Sequence, residues 1–180
     1  KYATLSTLRN YYMNPIYCVL ISICIISMLT MVLMAKANTT LSPKAKFWFI
    51  ITFLGIALGM CAELTREFRE FYPISNTLYK IITLLEFIIT PMLPIPLSFA
   101  CGIKKNVIPV SILMGFHGLL EIILLNTGLI FSVSGNSVYH RGDFYIIYII
   151  SYIISLIYLI IVYFFISKRF KNRNSFVLFA

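Results

Sequence analysis

Five long apolar runs dominate the sequence, and their length limits what the chain can fold into. They lie at about residues 16–35, 45–64, 76–102, 107–131 and 144–167. A membrane-spanning helix needs roughly 20 apolar residues, because each residue rises about 1.5 Å through about 30 Å of hydrocarbon. The runs predict an all-α, polytopic transmembrane helical bundle with five full spans. A further apolar stretch at residues 175–180 predicts the start of a partial sixth span.

The composition excludes several classes of protein. The chain is 60% hydrophobic and only 12% charged, with a mean hydropathy of +0.92. A soluble domain carries about twice this share of charged residues. We therefore expect residues 1–180 to form a single transmembrane domain that does not bind nucleic acid. The four cysteines match no zinc spacing, and the sequence lacks the usual catalytic motifs, so no metal, no cofactor and no enzyme activity are predicted for this chain.

The basic residues of the loops predict the orientation in the lipid bilayer, because loops rich in Lys and Arg stay in the cytoplasm. With five spans, one side carries five basic residues: Lys1, Arg9, Arg66, Arg69 and Arg141. The other side carries nine: Lys36, Lys44, Lys46, Lys104, Lys105, Lys168, Arg169, Lys171 and Arg173. We therefore expect a multi-pass membrane protein with its N-terminus outside.

Three ionisable residues lie inside the apolar runs, namely Glu86, His117 and Glu121. Such a group costs a few kcal/mol in hydrocarbon, so it usually faces inward and has a partner. Counted from the start of each run, Glu86 and His117 lie at depths of about 15 and 16 Å. The two runs are sequential and antiparallel, so we expect Glu86 and His117 to approach each other. Glu121 follows His117 by one helical turn on the same face.

These three residues have two main interpretations. One is a neutral polar pair that fixes helix packing, and the other is the polar floor of a ligand pocket. Metal binding is a weaker third possibility, because the spacing gives no complete ligand set. In the fifth run, Tyr148 and Tyr152 share a face with two serines. That face predicts interhelical hydrogen bonds or, as the alternative, a pocket wall opposite Glu86 and His117.

Prolines and glycines predict how the runs pack. The third run contains three prolines, which should kink or break its helix: Pro91, Pro94 and Pro96. The second run contains Gly55 and Gly59, a spacing that allows close helix approach. Packing within the chain is the simpler interpretation of this pair, and a homodimer face is the alternative.

A succession of short stretches resembles a known family. Residues 84–100 read LLEFIITPMLPIPLSFA, residues 136–144 read NSVYHRGDF, residues 145–160 read YIIYIISYIISLIYLI, and residues 168–176 read KRFKNRNSF. This order resembles the N-terminal multi-helix membrane region of bacterial signalling proteins, especially diguanylate cyclases of Firmicutes with a C-terminal GGDEF domain. The likeness covers most of the chain from about Asn76 onward.

The resemblance implies a sensory input domain in a bacterial cell membrane that signals to a cytoplasmic, diguanylate cyclase-like domain beyond residue 180. Residue by residue, Asn136, Tyr139, Arg141 and Gly142 match the loop pattern of that family. On the predicted topology this loop lies outside, above the three ionisable residues. Arg141 is then expected to bind an anionic group of the ligand or to hold the loop, and Gly142 to serve the turn.

The leading hypothesis is a sensor that binds an extracellular small ligand or a peptide. A rival hypothesis is the substrate-binding membrane subunit of a vitamin-type uptake transporter. A second rival is the input domain of a peptide-sensing histidine kinase. On the leading hypothesis, the ligand-binding residues are Glu86, His117, Glu121, Tyr148, Tyr152 and Arg141.

Overall fold

The computed structural model describes residues 15–68, 74–103, 107–135 and 138–171. Within these residues the chain forms helices joined by short connections, with one β-hairpin. The helices are α1 (Pro15–Ala37), α2 (Pro43–Phe68), α3 (Asn76–Met92), α4 (Pro94–Ala100), α5 (Val107–Leu124) and α6 (Tyr145–Lys171). The hairpin strands are β1 (Phe131–Ser134) and β2 (Val138–Arg141).

Four of the helices are long and apolar enough to cross a membrane. They are α1, α2, α5 and the part of α6 at Tyr145–Ile166. Helices α3 and α4 pass the same test as a pair and supply a fifth span if the pair is taken as one. The partial sixth span predicted at residues 175–180 lies outside the described residues.

The predicted break in the third run is confirmed. Helices α3 and α4 meet at a bend of 41°. Proline has no backbone N–H and its ring clashes with the preceding turn, so three prolines in six residues cannot continue a straight helix. Leu93 lies at the bend, and its backbone N–H reaches the carbonyl of Thr90 at 3.4 Å instead of making a regular helical bond.

The hairpin corrects the prediction of an entirely helical chain. Helix α5 ends at Leu124, short of the predicted end near residue 131. Gly128 has a φ of +72°, a backbone conformation that residues with a side chain rarely adopt, and the chain turns there. β1 then pairs antiparallel with β2, from Phe131 opposite Arg141 to Ser134 opposite Val138.

The hairpin packs on one end of the helices and marks it. Ile130, Phe131 and Val133 form a buried cluster with Tyr79 and Phe87 of α3. The last residue of α5, Leu124, and the first residue of α6, Tyr145, pack against the same cluster. The start of α3, the end of α5 and the start of α6 therefore meet at one end of the bundle, which we call the hairpin end, and α3 runs antiparallel to α5.

Candidate functional site

A stack of side chains leads from the surface of the hairpin end into the bundle. The guanidinium of Arg141, which is exposed, lies 4.9 Å over the ring of Tyr145. The Tyr145 and Tyr148 ring centroids are 5.6 Å apart. Tyr148 in turn stacks on Phe87 of α3, with centroids 4.0 Å apart and planes inclined by 10°. We call these four residues the aromatic column.

His117 lies at the inner end of the aromatic column. Its ring centroid is 6.3 Å from that of Tyr148, and the residue is 2% exposed. The Nε2 atom of His117 lies 3.2 Å from the carbonyl oxygen of Phe87. A carbonyl can only accept, so Nε2 carries the proton of this hydrogen bond.

The Phe87 carbonyl is free to accept because of a proline. In a regular helix it would accept from the backbone N–H four residues later, but that residue is Pro91. A carbonyl left unpaired inside a membrane costs free energy, and neighbouring helices usually supply the missing donor. His117 of α5 supplies it here. The kink of α3 and the position of the imidazole therefore depend on each other.

Glu121 is buried one turn beyond His117 and is 1% exposed. One of its carboxyl oxygens lies 3.7 Å from Nε2 of His117, longer than a hydrogen bond. Within the described part of the chain, four buried atoms have no hydrogen-bond partner here: both Glu121 oxygens, Nδ1 of His117 and Oγ1 of Thr83. Thr83 precedes Phe87 by one turn, so in antiparallel helices it lies at the level of Glu121. We call Thr83, His117 and Glu121 the polar cluster.

Glu86 has a different partner from the one predicted. Oε1 of its carboxylate accepts a hydrogen bond from Nη2 of Arg66 on α2 at 3.0 Å, and Oε2 lies 2.7 Å from Nη1 as an ion-pair contact. Arg66 also pairs with Glu63 one turn earlier, and the Tyr17 hydroxyl of α1 donates to Glu63 at 2.9 Å. This charge network ties α1 to α2 and α2 to α3.

The helical period explains why Glu86 does not approach His117. Successive residues of a helix point about 100° apart: the Phe87 ring stacks on Tyr148 of α6, and Ile88 lies against Gly118 of α5. Glu86 therefore faces α2. The sequence contained a usable signal for this pair, because Glu86 needs a partner in hydrocarbon and Arg66 is a long cationic side chain at the end of the preceding run.

Two grooves lie beside α3. One of about 190 Å³ runs between α2 and α3 and is lined by Gly59, Ile89 and Glu86 among others. The other, of about 330 Å³, lies at the α3–α4 bend. There a Cβ on Gly55 would come within 2.8 Å of the Leu93 side chain, so this glycine lets the bend approach α2 within the chain. A homodimer through Gly55 and Gly59 stays a prediction.

The polar face predicted on α6 is divided in the structure. Ser151 and Ser155 are buried, whereas Tyr152 is 37% exposed. The Tyr152 ring centroid lies 6.2 Å from that of Tyr148, next to the aromatic column. Tyr152 therefore borders the column instead of closing it.

The loop residues of the family resemblance have structural roles where the structure describes them. The Tyr139 ring stacks on Phe131, and burial, with a further contribution from Tyr145, raises the pKa of the Tyr139 phenol above its ordinary value. A Cβ on Gly142 would overlap the backbone carbonyls of Leu129 and Gly128, so only glycine fits there. Asn136 lies outside the described residues.

Comparisons of this chain with protein-family models, curated proteins and solved structures find no match. The resemblance to cyclase input regions therefore stays a prediction. Function is inferred below from the geometry of the aromatic column, the polar cluster and the charge network.

Proposed function

We propose that this chain is a membrane-embedded input domain of a bacterial signalling protein. On this proposal, an extracellular small molecule or peptide binds at the hairpin end, and the signal passes to a cytoplasmic output domain of the diguanylate cyclase type. The observation that carries the proposal is the aromatic column. It connects an exposed cation of the hairpin to a buried histidine through side chains of α3 and α6.

The chemistry of the outer end of the column favours an anionic ligand group. A guanidinium presents a planar fork of donors that matches a carboxylate or phosphate. Arg141 is exposed and rests on the face of Tyr145, which leaves its N–H edges open to solvent. A ligand that pairs with Arg141 changes the contact between Arg141 and Tyr145, and with it the packing of Tyr145 on Tyr148.

The inner end of the column leads to an element that can adopt two arrangements. Phe87 stacks on Tyr148, and its carbonyl is the one that Pro91 leaves free for His117. A shift of Tyr148 therefore acts on α3 directly beside the 41° bend. We expect the bend to be the element that responds, because Pro91 removes the backbone hydrogen bond that would hold this turn of the helix straight. The ligand signal would pass as a change in this bend and in the tilt of α6.

Ligand binding is tested with the protein in lipid nanodiscs. The melting temperature is measured with a panel of small carboxylates, phosphates and acidic peptides at constant ionic strength. A ligand present at 100 times its dissociation constant stabilises the protein by about 2.7 kcal/mol. Arg141→Ala should abolish the shift, whereas Lys44→Ala, an exposed cation remote in sequence from the hairpin, should keep it. An equal shift of the melting temperature in both variants contradicts the role of Arg141. In a separate assay, uptake of a labelled vitamin into vesicles would support the transport hypothesis instead.

Signalling is tested in cells that express the natural gene. Tyr148→Ala should change the basal level of the cyclic dinucleotide, because it removes the centre of the column. Tyr163→Ala removes the same side chain from the same helix, where it is 68% exposed, and should leave the level unchanged. Equal levels in the two variants and the wild type would contradict an input role for the column.

A further inference from the structure

We propose that the polar cluster between α3 and α5 is a proton-binding site, with the proton held on the carboxyl of Glu121. This site is separate from the ligand group proposed at Arg141, and it does not depend on what the protein senses. The ligand is the proton itself, taken from solvent by the carboxylate, which becomes a neutral carboxylic acid. No oxidation or reduction is involved.

The burial of the cluster selects the proton among cations. Thr83 is 0% exposed, Glu121 1% and His117 2%. There is thus almost no space of the size of a water molecule against these side chains, and a metal ion or an ammonium group would have to displace protein atoms. In the described residues, no three His, Cys, Asp or Glu side chains cluster as a metal site requires. A proton needs no such space.

The hydrogen-bond inventory points to the same ligand. An ionised Glu121 could only accept hydrogen bonds, and the described residues provide neither of its oxygens with a donor. Nε2 of His117 already donates to Phe87, so in the neutral ring Nδ1 is another acceptor without a partner. Thr83 offers one hydroxyl donor to the three acceptor atoms of Glu121 and His117, so acceptors outnumber donors, and a proton on Glu121 adds a second donor. It also removes a charge that is expensive to bury without hydrogen bonds.

An ion pair between Glu121 and a protonated His117 fits the geometry less well. The two groups are 3.7 Å apart, so the pair lacks a direct hydrogen bond. The charged ring would also carry a second N–H, at Nδ1, that finds no acceptor in the described residues. A buried ion pair offsets the cost of desolvation only when its remaining donors and acceptors are satisfied.

The other titratable groups around the cluster do not supply the missing charge. Tyr79 on α3, Tyr145 and Tyr148 on α6 and Tyr139 of the hairpin are phenols, which carry no positive charge in either protonation state. Glu86 on α3 is held by Arg66.

The site lies close to the hairpin end. Glu121 is three residues before the last residue of α5, which corresponds to about 4.5 Å along the helix. Leu124, which follows Glu121 by one turn, packs against the buried hairpin cluster that contains Ile130 and Phe131. We therefore assign proton exchange to opening of the hairpin rather than to a path through the bundle.

Infrared difference spectroscopy of the wild-type protein in nanodiscs tests the proposal. We expect the C=O stretching band of a carboxylic acid at neutral pH, where exposed carboxyl groups are ionised, and a small shift of that band in D2O. Glu121→Gln should abolish the band. Glu86→Gln, which changes the carboxyl of α3, should retain it. Absence of the band in the wild type, or its persistence in Glu121→Gln, overturns the proposal.

A second pair of variants keeps the test decisive if Glu121→Gln does not fold. His117→Gln and Thr83→Val alter the hydrogen bonding around the carboxyl without removing it. The band should remain in both variants and shift in frequency in at least one of them. If the band is unshifted in both variants, the protonated carboxyl lies elsewhere in the protein, and the assignment to Glu121 is overturned. None of these measurements uses the ligand of Arg141, so failure of the proposed function leaves them unaffected.

Discussion

Replacing Pro91 by alanine should remove the dependence of the bend on His117. Alanine restores a backbone N–H at position 91, which can donate to the Phe87 carbonyl in the ordinary helical pattern. His117 then loses its role as the donor to that carbonyl. In the wild type, His117→Leu should leave the carbonyl unpaired, whereas in the Pro91→Ala background it should not.

The magnitude follows from the single hydrogen bond between His117 Nε2 and the Phe87 carbonyl, whose length is 3.2 Å. A hydrogen bond contributes about 1 kcal/mol net, and coupling between buried polar groups in membrane helices averages about 0.6 kcal/mol, reaching about 1.7. We expect the destabilisation by His117→Leu to be about 1 kcal/mol smaller in Pro91→Ala than in the wild type. The loss of packing volume is the same in both backgrounds and cancels in the comparison.

The free energy of unfolding of the four proteins, measured in the same mixed micelles, gives the coupling directly. Pro96→Ala is the matched control, because Pro96 lies in the same proline segment but leaves the Met92 carbonyl free instead. It should show no coupling to His117→Leu. Additive effects of Pro91→Ala and His117→Leu, within about 0.3 kcal/mol, would refute the reasoning.

Three further predictions concern the charge network, the hairpin and a helix cap. A double-mutant cycle of Arg66→Met and Glu86→Gln should give a coupling of about 1 to 3 kcal/mol in the unfolding free energy, since the ion pair is hydrogen-bonded and partly buried; zero coupling would contradict the pairing. Gly142→Ala should lower the free energy of unfolding by about 2 to 4 kcal/mol and speed hydrogen exchange in the hairpin, because the added Cβ overlaps two backbone carbonyls. The control is Gly135→Ala, whose added Cβ meets no atom within 4 Å, and it should leave the stability unchanged. Ser75→Ala should lower the melting temperature by the equivalent of about 1 kcal/mol, because the Ser75 hydroxyl accepts from the first turn of α3, and Ser75→Asp should not.

The helical elements could be predicted because their signals are local. Runs of about 20 apolar residues and a proline-rich break act within a few turns of the chain. The structure accordingly places helices in all five runs and bends the third at Leu93. The burial of His117 and Glu121 fits the same logic, since the cost of exposing these groups to hydrocarbon is a property of each residue.

The partners of these residues were harder to predict, because they depend on helix rotation and on exact ends. Placing Glu86 opposite His117 used depth alone and ignored the 100° between Glu86 and Phe87. The partner of His117 is a backbone carbonyl, and every residue has one, so the sequence does not show which carbonyl is left free. The proline four residues after Phe87 was the available sign. The hairpin was missed because residues up to 131 are apolar, and Gly128 interrupts the run only through its backbone conformation.

The length of α6 has a mechanical consequence. Its 27 residues measure about 40 Å, against about 30 Å for the hydrocarbon layer, so the helix is a rod that emerges from the lipid. Tyr148 lies near one tip, and Lys171 is roughly 35 Å farther along. A tilt of about 5° around Tyr148 would swing the far tip sideways by about 3 Å. A small tilt of α6 at the hairpin end would thus move its other end, on the opposite face of the membrane, by a distance comparable to the radius of the helix backbone.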